Sequence, residues 1–345
     1  MFYIHKTSVI SAQQTLSDSL SENLIQSSGN KLRASDAGIN DVPLNLLRRM
    51  GKAVKLGIGT GMHVLKSTSV NGIIIGTGNG GLEDCIKFLN QIIDYDEGRL
   101  TPTNFVQSTT NAIAAQLGIM NHNTGYNITH VHRGLAFENA LIDVGMLLKE
   151  HPANIYLTGG VDEISDYNYA IDFLTGSYKK EIINNKDLYQ SDSAGTVAGE
   201  GAAMFIISNT RHGAFIKIDD IKTIHTNAVD QVTSSLRLFL VKNSTLEEPV
   251  DLFLSGENGD FRLLPFYSAC EKVLNENISV LRFKHMTGEF PSVSALALKL
   301  ACDGIQNRHF PEHMYKKRKS ELFNKILIYN TYKGEQHSFI IASRV

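Results

Sequence analysis

Residues 72–83, GIIIGTGNGGLE, join an apolar β-branched run to a glycine-rich turn and the head of a helix. Ile73, Ile74 and Ile75 between turn residues are the pattern of a strand buried on both faces. Leu82–Ile93 then has helical periodicity. The turn, Gly76-Thr77-Gly78-Asn79-Gly80-Gly81, also satisfies G-x-G-x-x-G, a loop that can aim backbone N–H groups at a pyrophosphate. A dinucleotide fold then needs an acidic residue closing a second strand about 20 residues later. Asp94, Asp96 and Glu97 instead sit in a polar segment. A tight strand-to-helix turn is the preferred reading.

Working outward, the same alternation recurs. Pro43–Leu65 has helical apolar spacing, weakened by Gly57, Gly59 and Gly61; Thr110–Met120 is an Ala-rich helix. Leu135–Leu148 places Phe137, Leu141, Val144 and Leu148 on one helix face. Ala153–Gly160 and Gly199–Ser208 read as further strands, and residues 1–50 as loop between short pieces, most polar over Ser17–Asn30. Later strands are expected at Ala214–Ile218, Val250–Leu254, Ile278–Phe283, Ile326–Tyr329 and Ser338–Ala342, with a helix at Ser292–Asp303. This is an α/β protein with mixed sheets, in two similar halves, 1–210 and 211–345.

The 345 residues are 42% hydrophobic and 20% charged, which supports a substantial core. With 33 basic against 35 acidic residues the net charge is −2, which gives no electrostatic case for nucleic acid. The basic run Lys316-Lys317-Arg318-Lys319 reads as a solvated helix face. Cys85, Cys270 and Cys302 lack metal-type spacing, and the 12 histidines are scattered, so neither a metal nor another cofactor is expected. Without a signal peptide or long apolar run, the expectation is a cytoplasmic protein with no membrane span.

Several segments in order resemble the β-ketoacyl-acyl-carrier-protein synthases of the thiolase superfamily. They are 43–50 (PLNLLRRM), 72–83, 102–125 (PTNFVQSTTNAIAAQLGIMNHNTG), 159–163 (GGVDE) and 193–207 (SAGTVAGEGAAMFII). The resemblance implies a thiolase fold, five layers αβαβα from two pseudo-repeated halves, and a dimer. It also implies a cysteine at the head of a buried helix, where the helix dipole favours a thiolate. Family spacing from Gly125 and from Gly159 leads to the same position, and residue 134 is glycine. No Cys, Ser or Thr lies within four residues of it.

The family's two histidines stabilise an enolate. The resemblance places Ser255 at the first histidine position and Glu289, after the retained Lys284, at the second. An ionised carboxylate about 4 Å from an enolate would cost about 4 kcal/mol at an effective dielectric near 20, opposing the reaction. The family's glycine-rich turn near the C-terminus maps to Asn330–Gln336, where only Gly334 is retained.

No catalytic residue is therefore expected; Gly134, Ser255, Lys284 and Glu289 are degenerate positions. Lys284 and Glu289 read as a structural ion pair, and Cys302 as core. His130, His132 and His285 read as packed or interface residues. The resemblance implies a chain-length-factor-type subunit, partnered by a catalytic ketosynthase in a heterodimer, or homodimeric, with acyl carrier protein as a further partner. Phe137, Leu141 and His132 are candidates for the acyl tunnel or interface. Similar truncated proteins occur in aryl-polyene and flexirubin pigment systems. The alternative is a malonyl decarboxylase or acyltransferase built on Glu289 and Lys284.

Overall fold

The computed structural model describes residues 1–16, 20–35, 39, 42–98, 100, 102–243, 249–319 and 321–345; residues 17–19 of the polar loop lie outside these. The main strands from the first part of the chain are β1 (Phe2–Ile10), β2 (Gly72–Thr77), β3 (Tyr126–Val131), β4 (Ile155–Asp162) and β5 (Gly201–Ser208). Those from the rest are β6 (Ile216–His225), β7 (Leu252–Ser255), β8 (Ser279–Arg282), β9 (Lys325–Tyr332) and β10 (Gln336–Arg344). The first set is ordered β3-β2-β4-β5-β1 and the second β8-β7-β9-β10-β6, which is the same order twice. Strand directions repeat too, with β2 parallel to β3 and β4, and β7 parallel to β8 and β9. The two sheets fuse where β1 pairs antiparallel with β6, Phe2 opposite Ile218 and Ile4 opposite Ile216.

The longer helices are α1 (Lys52–Leu65), α2 (Leu82–Asp94), α3 (Ala112–Met120), α4 (Ala136–Glu150), α5 (Asp166–Leu174), α6 (Val229–Asn243), α7 (Leu264–Val273) and α8 (Ser294–Asn307). Strand period 2 sorts the core into layers. Ile74 of β2 and Ile326 and Ile328 of β9 face a central core with Phe137, Leu141 and Val144 of α4 and the apolar side chains of α8. Ile73 and Ile75 point the other way, onto α1 and α3. Leu327 and Tyr329 meet α6 and α7. The result is helices, sheet, helices, sheet, helices, the αβαβα arrangement of the thiolase fold.

Local corrections have physical causes. The Pro43–Leu65 segment is two helices, Leu44–Leu47 and α1, separated by Gly51 in extended conformation. The α1 glycines are contact points: a Cβ on Gly57 would lie 2.4 Å from Ile113 of α3 and one on Gly61 2.5 Å from Leu117. Their smallness lets two helices approach, which offsets their poor helix propensity. The basic run is not a helix face. Tyr315–Lys317 is a strand antiparallel to β8. Lys316 donates to Glu257 (2.6 Å) and Glu271 (2.8 Å), Lys317 to the Glu276 carbonyl, and Arg318 to Glu312. Among the described residues, no helix is long and apolar enough to cross a membrane.

Candidate functional site

The loops after the parallel strands β7 and β8 and the end of β9 border a cleft of about 430 Å³, lined by Glu289, Asn258, Thr196, Tyr178, Tyr332 and their neighbours. Ends of parallel strands are where α/β sheets expose loops instead of ladder, and ligands gather there.

Gly134 lies in a single turn, Arg133–Leu135, that leads into α4. It is buried, and its N–H donates to Gln336 Oε1 (2.9 Å). A Cβ placed on it would lie 2.1 Å from Cβ and 2.4 Å from Cγ of Tyr332. Tyr332 ends β9, and the turn that follows holds Lys333 and Gly334 in the left-handed region. The tyrosine thus fills the space at the helix head that a larger residue 134 would need. Burial pushes its phenol well above the ordinary range, so it is a neutral plug. No cysteine lies at the head of α4. Cys270 and Cys302 are buried within α7 and α8, where burial raises both thiols, and Cys85 is in α2.

Lys284 and Glu289 do form the expected pair, Nζ to Oε1 2.5 Å, with the lysine fully enclosed. Burial lowers the ammonium's pKa and the adjacent carboxylate opposes that fall. Glu289 Oε2 accepts from Asn258 Nδ2 (3.0 Å). Ser255 caps β7 from a buried position, its Oγ accepting from the Glu257 N–H (3.3 Å). Ser255 therefore opens the loop that delivers Asn258 to Glu289. Across from the pair lies Glu138 of α4, wholly buried and not paired with Arg133; Ser338 Oγ donates to it (2.7 Å) and its Oε2 has no partner. Burial raises its pKa, which favours the protonated form.

Gly76–Gly81 is closed to phosphate by the protein itself. Buried Asp162, at the end of β4, accepts from the N–H groups of Gly78 (3.0 Å) and Asn79 (2.6 Å), and from Ser292 N–H (3.0 Å) and Oγ (2.7 Å). Thr77 Oγ1 takes the Gly80 N–H (2.7 Å). The donors a pyrophosphate would need are spent on side chains, which fits the structural-turn reading.

Phe137 and Leu141 are both 0% exposed and sit in the central core, Phe137 against Phe205 at 5.7 Å between ring centroids. His132 is exposed, with Nδ1 3.5 Å from Gln336 Nε2. His130 Nε2 lies 2.9 Å from Asp143 Oδ2. His285 is packed between Tyr189 and His313. Burial drops His285 to about 3, which makes it a neutral structural residue. Among the described residues no cluster of His, Cys, Asp and Glu could hold a metal. Sequence reasoning missed Tyr332, Asp162 and Glu138; the signal for Tyr332 was an aromatic in the stretch whose glycines are lost.

Residues 23–171 match the family model described as the β-ketoacyl synthase N-terminal domain. Across the whole chain the fold is that of the solved ketosynthases. A β-ketoacyl synthase from Burkholderia phymatum matches with a TM-score of 0.79 at 14% identity, covering 100% of this chain and 99% of that one. A ketosynthase in complex with its chain length factor from Xenorhabdus doucetiae gives 0.77 at 12%, covering 100% and 98%. The ishigamide ketosynthase/chain length factor gives 0.75 at 14%, covering 100% and 99%. The chain has the thiolase fold, and its residues 23–171 are similar to the β-ketoacyl synthase N-terminal domain. Its structural neighbours include chain-length-factor complexes. No curated protein sequence matches it.

Proposed function

We propose that this protein is a catalytically degenerate, chain-length-factor-type subunit that partners an active ketosynthase in fatty-acid or polyketide-like acyl-chain elongation. The observation that supports the reading is the Gly134–Tyr332 contact: with residue 134 taken as the nucleophile position, there is neither a sulfur there nor the space for one. Glu289 at the second histidine position adds charge of the wrong sign for enolate stabilisation. The ketosynthase partner is the natural occupant of the exposed edge of β3, which carries Tyr126 and Val131 at 41% and 50% exposure. In this reading Phe137 and Leu141 act through the packing of α4 behind that edge, and His132 meets the partner directly. Acyl carrier protein is a further partner, aryl-polyene-type pigment assembly the narrower setting, and residue 210 the division between halves.

The test is co-expression with a cysteine-bearing synthase encoded beside it, followed by size-exclusion chromatography and intact mass spectrometry. One-to-one co-elution is expected, with acyl mass added to the partner alone. A stable acyl adduct on this chain, or a homodimer that ignores every synthase, rejects the proposal.

A second reading, an enzyme of the same fold with decarboxylase or acyltransferase chemistry, draws on the 2.5 Å Lys284–Glu289 pair at the cleft. Glu289→Gln separates the two: a scaffold keeps the partner's turnover, an enzyme loses its own.

A further inference from the structure

Beside the cleft, sharing Asp172, Tyr332 and Lys333 with it, is a second cavity of about 210 Å³ that Asn79, Arg133, Asn168 and Pro291 complete. It has room for several waters or one small polyatomic anion. We infer that this cavity is a binding pocket for a small anion of the carboxylate or phosphate class, with Arg133 as its charged donor. The inference goes beyond the partnering role and does not depend on it, because every residue of the pocket belongs to this chain.

Four observations support it. The Arg133 guanidinium has no hydrogen-bond or ion-pair partner among the described residues, although it lines a cavity. Arg133 is exposed at the rim of the cavity, so its fork is open to a ligand from solvent, and that planar fork matches carboxylate and phosphate oxygens in pairs. Second, Arg133 holds φ 47°, a region non-glycine residues avoid, so the backbone of the turn takes an uncommon conformation at the cavity wall. Third, Asn168 Nδ2 is enclosed with no acceptor, so a donor is already waiting. Fourth, Lys333 is tethered to Asp172 of α5 at 2.6 Å, which fixes a second cation at the rim. Two cations against one carboxylate leave the pocket one positive charge in excess. The tyrosine plug forms the shared wall with the main cleft, so the anion would sit outside the closed catalytic position and not in it.

The test is isothermal titration of the purified chain, in low-salt buffer, with sodium phosphate and with sodium malonate as separate arms. Binding of at least one at low-millimolar concentration is expected, and the stronger arm identifies the class. Arg133→Gln should weaken it by about tenfold to a hundredfold, the worth of hydrogen bonds to a charged group. Asp172→Asn, which frees Lys333 from its carboxylate, should strengthen it several-fold. Circular dichroism confirms that each variant is folded. No heat from either anion, or unchanged binding by folded Arg133→Gln, overturns the inference.

Discussion

The two sheets have the same strand order, yet their outer edges are treated in opposite ways. On the C-terminal sheet, β8 is covered by Tyr315–Lys317, whose lysines and the following arginine are tied to Glu257, Glu271, Glu276 and Glu312. A short, lysine-rich strand of this kind blunts an edge against further pairing. On the N-terminal sheet, β3 pairs with β2 on one side, and among the described residues no strand covers the other. Nearby lie exposed Ile119 of α3, and Phe105 and Val106 of the short helix Pro102–Gln107. One duplicated scaffold therefore has one edge closed by charge and one left open with apolar side chains around it. Bare edges of this length are an aggregation hazard unless a partner covers them.

The sharpest way to break the comparison is Val131→Lys, which gives the open edge the chemistry of the closed one. We expect partner affinity to fall about thirtyfold or more, as for a central interface residue, with the free chain's melting temperature unchanged. Surface plasmon resonance against the captured synthase measures it. Next is Glu257→Gln on the closed side. Glu257 is buried between Arg282 (3.1 Å) and Lys316 (2.6 Å); removing its charge leaves Arg282 without its carboxylate and Lys316 with Glu271 alone (2.8 Å). The expected loss is about 3 kcal/mol by urea denaturation, together with faster hydrogen exchange over residues 315–317.

The loops above the edges sharpen it further. Gly134→Cys, which puts a sulfur at the proposed nucleophile position, should cost about 1–3 kcal/mol by overpacking against Tyr332. It should also remain unacylated by intact mass, and in a double-mutant cycle with Tyr332→Ala the two changes should be non-additive, the cysteine costing little once the ring is gone. The smallest effect concerns Glu163, one residue beyond Asp162. Burial, and then the nearby Asp84, push its carboxyl up to about 7. A raised folded-state pKa means that the folded protein binds the proton more tightly than the unfolded chain. Its contribution is complete below the ordinary carboxylate range and is lost as pH rises through about 7. Glu163→Gln should therefore match the parent near pH 4 and exceed it by about 1–2 kcal/mol at pH 8, read from melting curves at each pH.

Much of the fold was legible because its buried strands are β-branched and bounded by turns: Gly72–Thr77, Ile155–Asp162 and Gly201–Ser208 lie close to where periodicity placed them. The strands missed, β1 and β3, have mixed burial, with half-buried or exposed positions, so neither shows an unbroken apolar run. Strands β6, β9 and β10 are longer than expected because their ends are polar but still inside the ladder. The basic run was misread because four adjacent charges look solvated until the carboxylates that claim them, up to 59 residues away, are brought alongside.

By itself the sequence determined the class of fold, through ordered motifs, and the absence of a nucleophile at residue 134, since a side chain that is not encoded cannot be supplied by folding. Tertiary structure alone decided what takes its place. Tyr332 is 198 positions from Gly134, and only the meeting of β9 with the head of α4 puts one against the other. The same holds for the spent donors of Gly78 and Asn79, whose acceptor Asp162 is 84 and 83 residues further on. Spacing along a chain reports which residues share a face, and it carries no information about which distant side chain fills a vacancy.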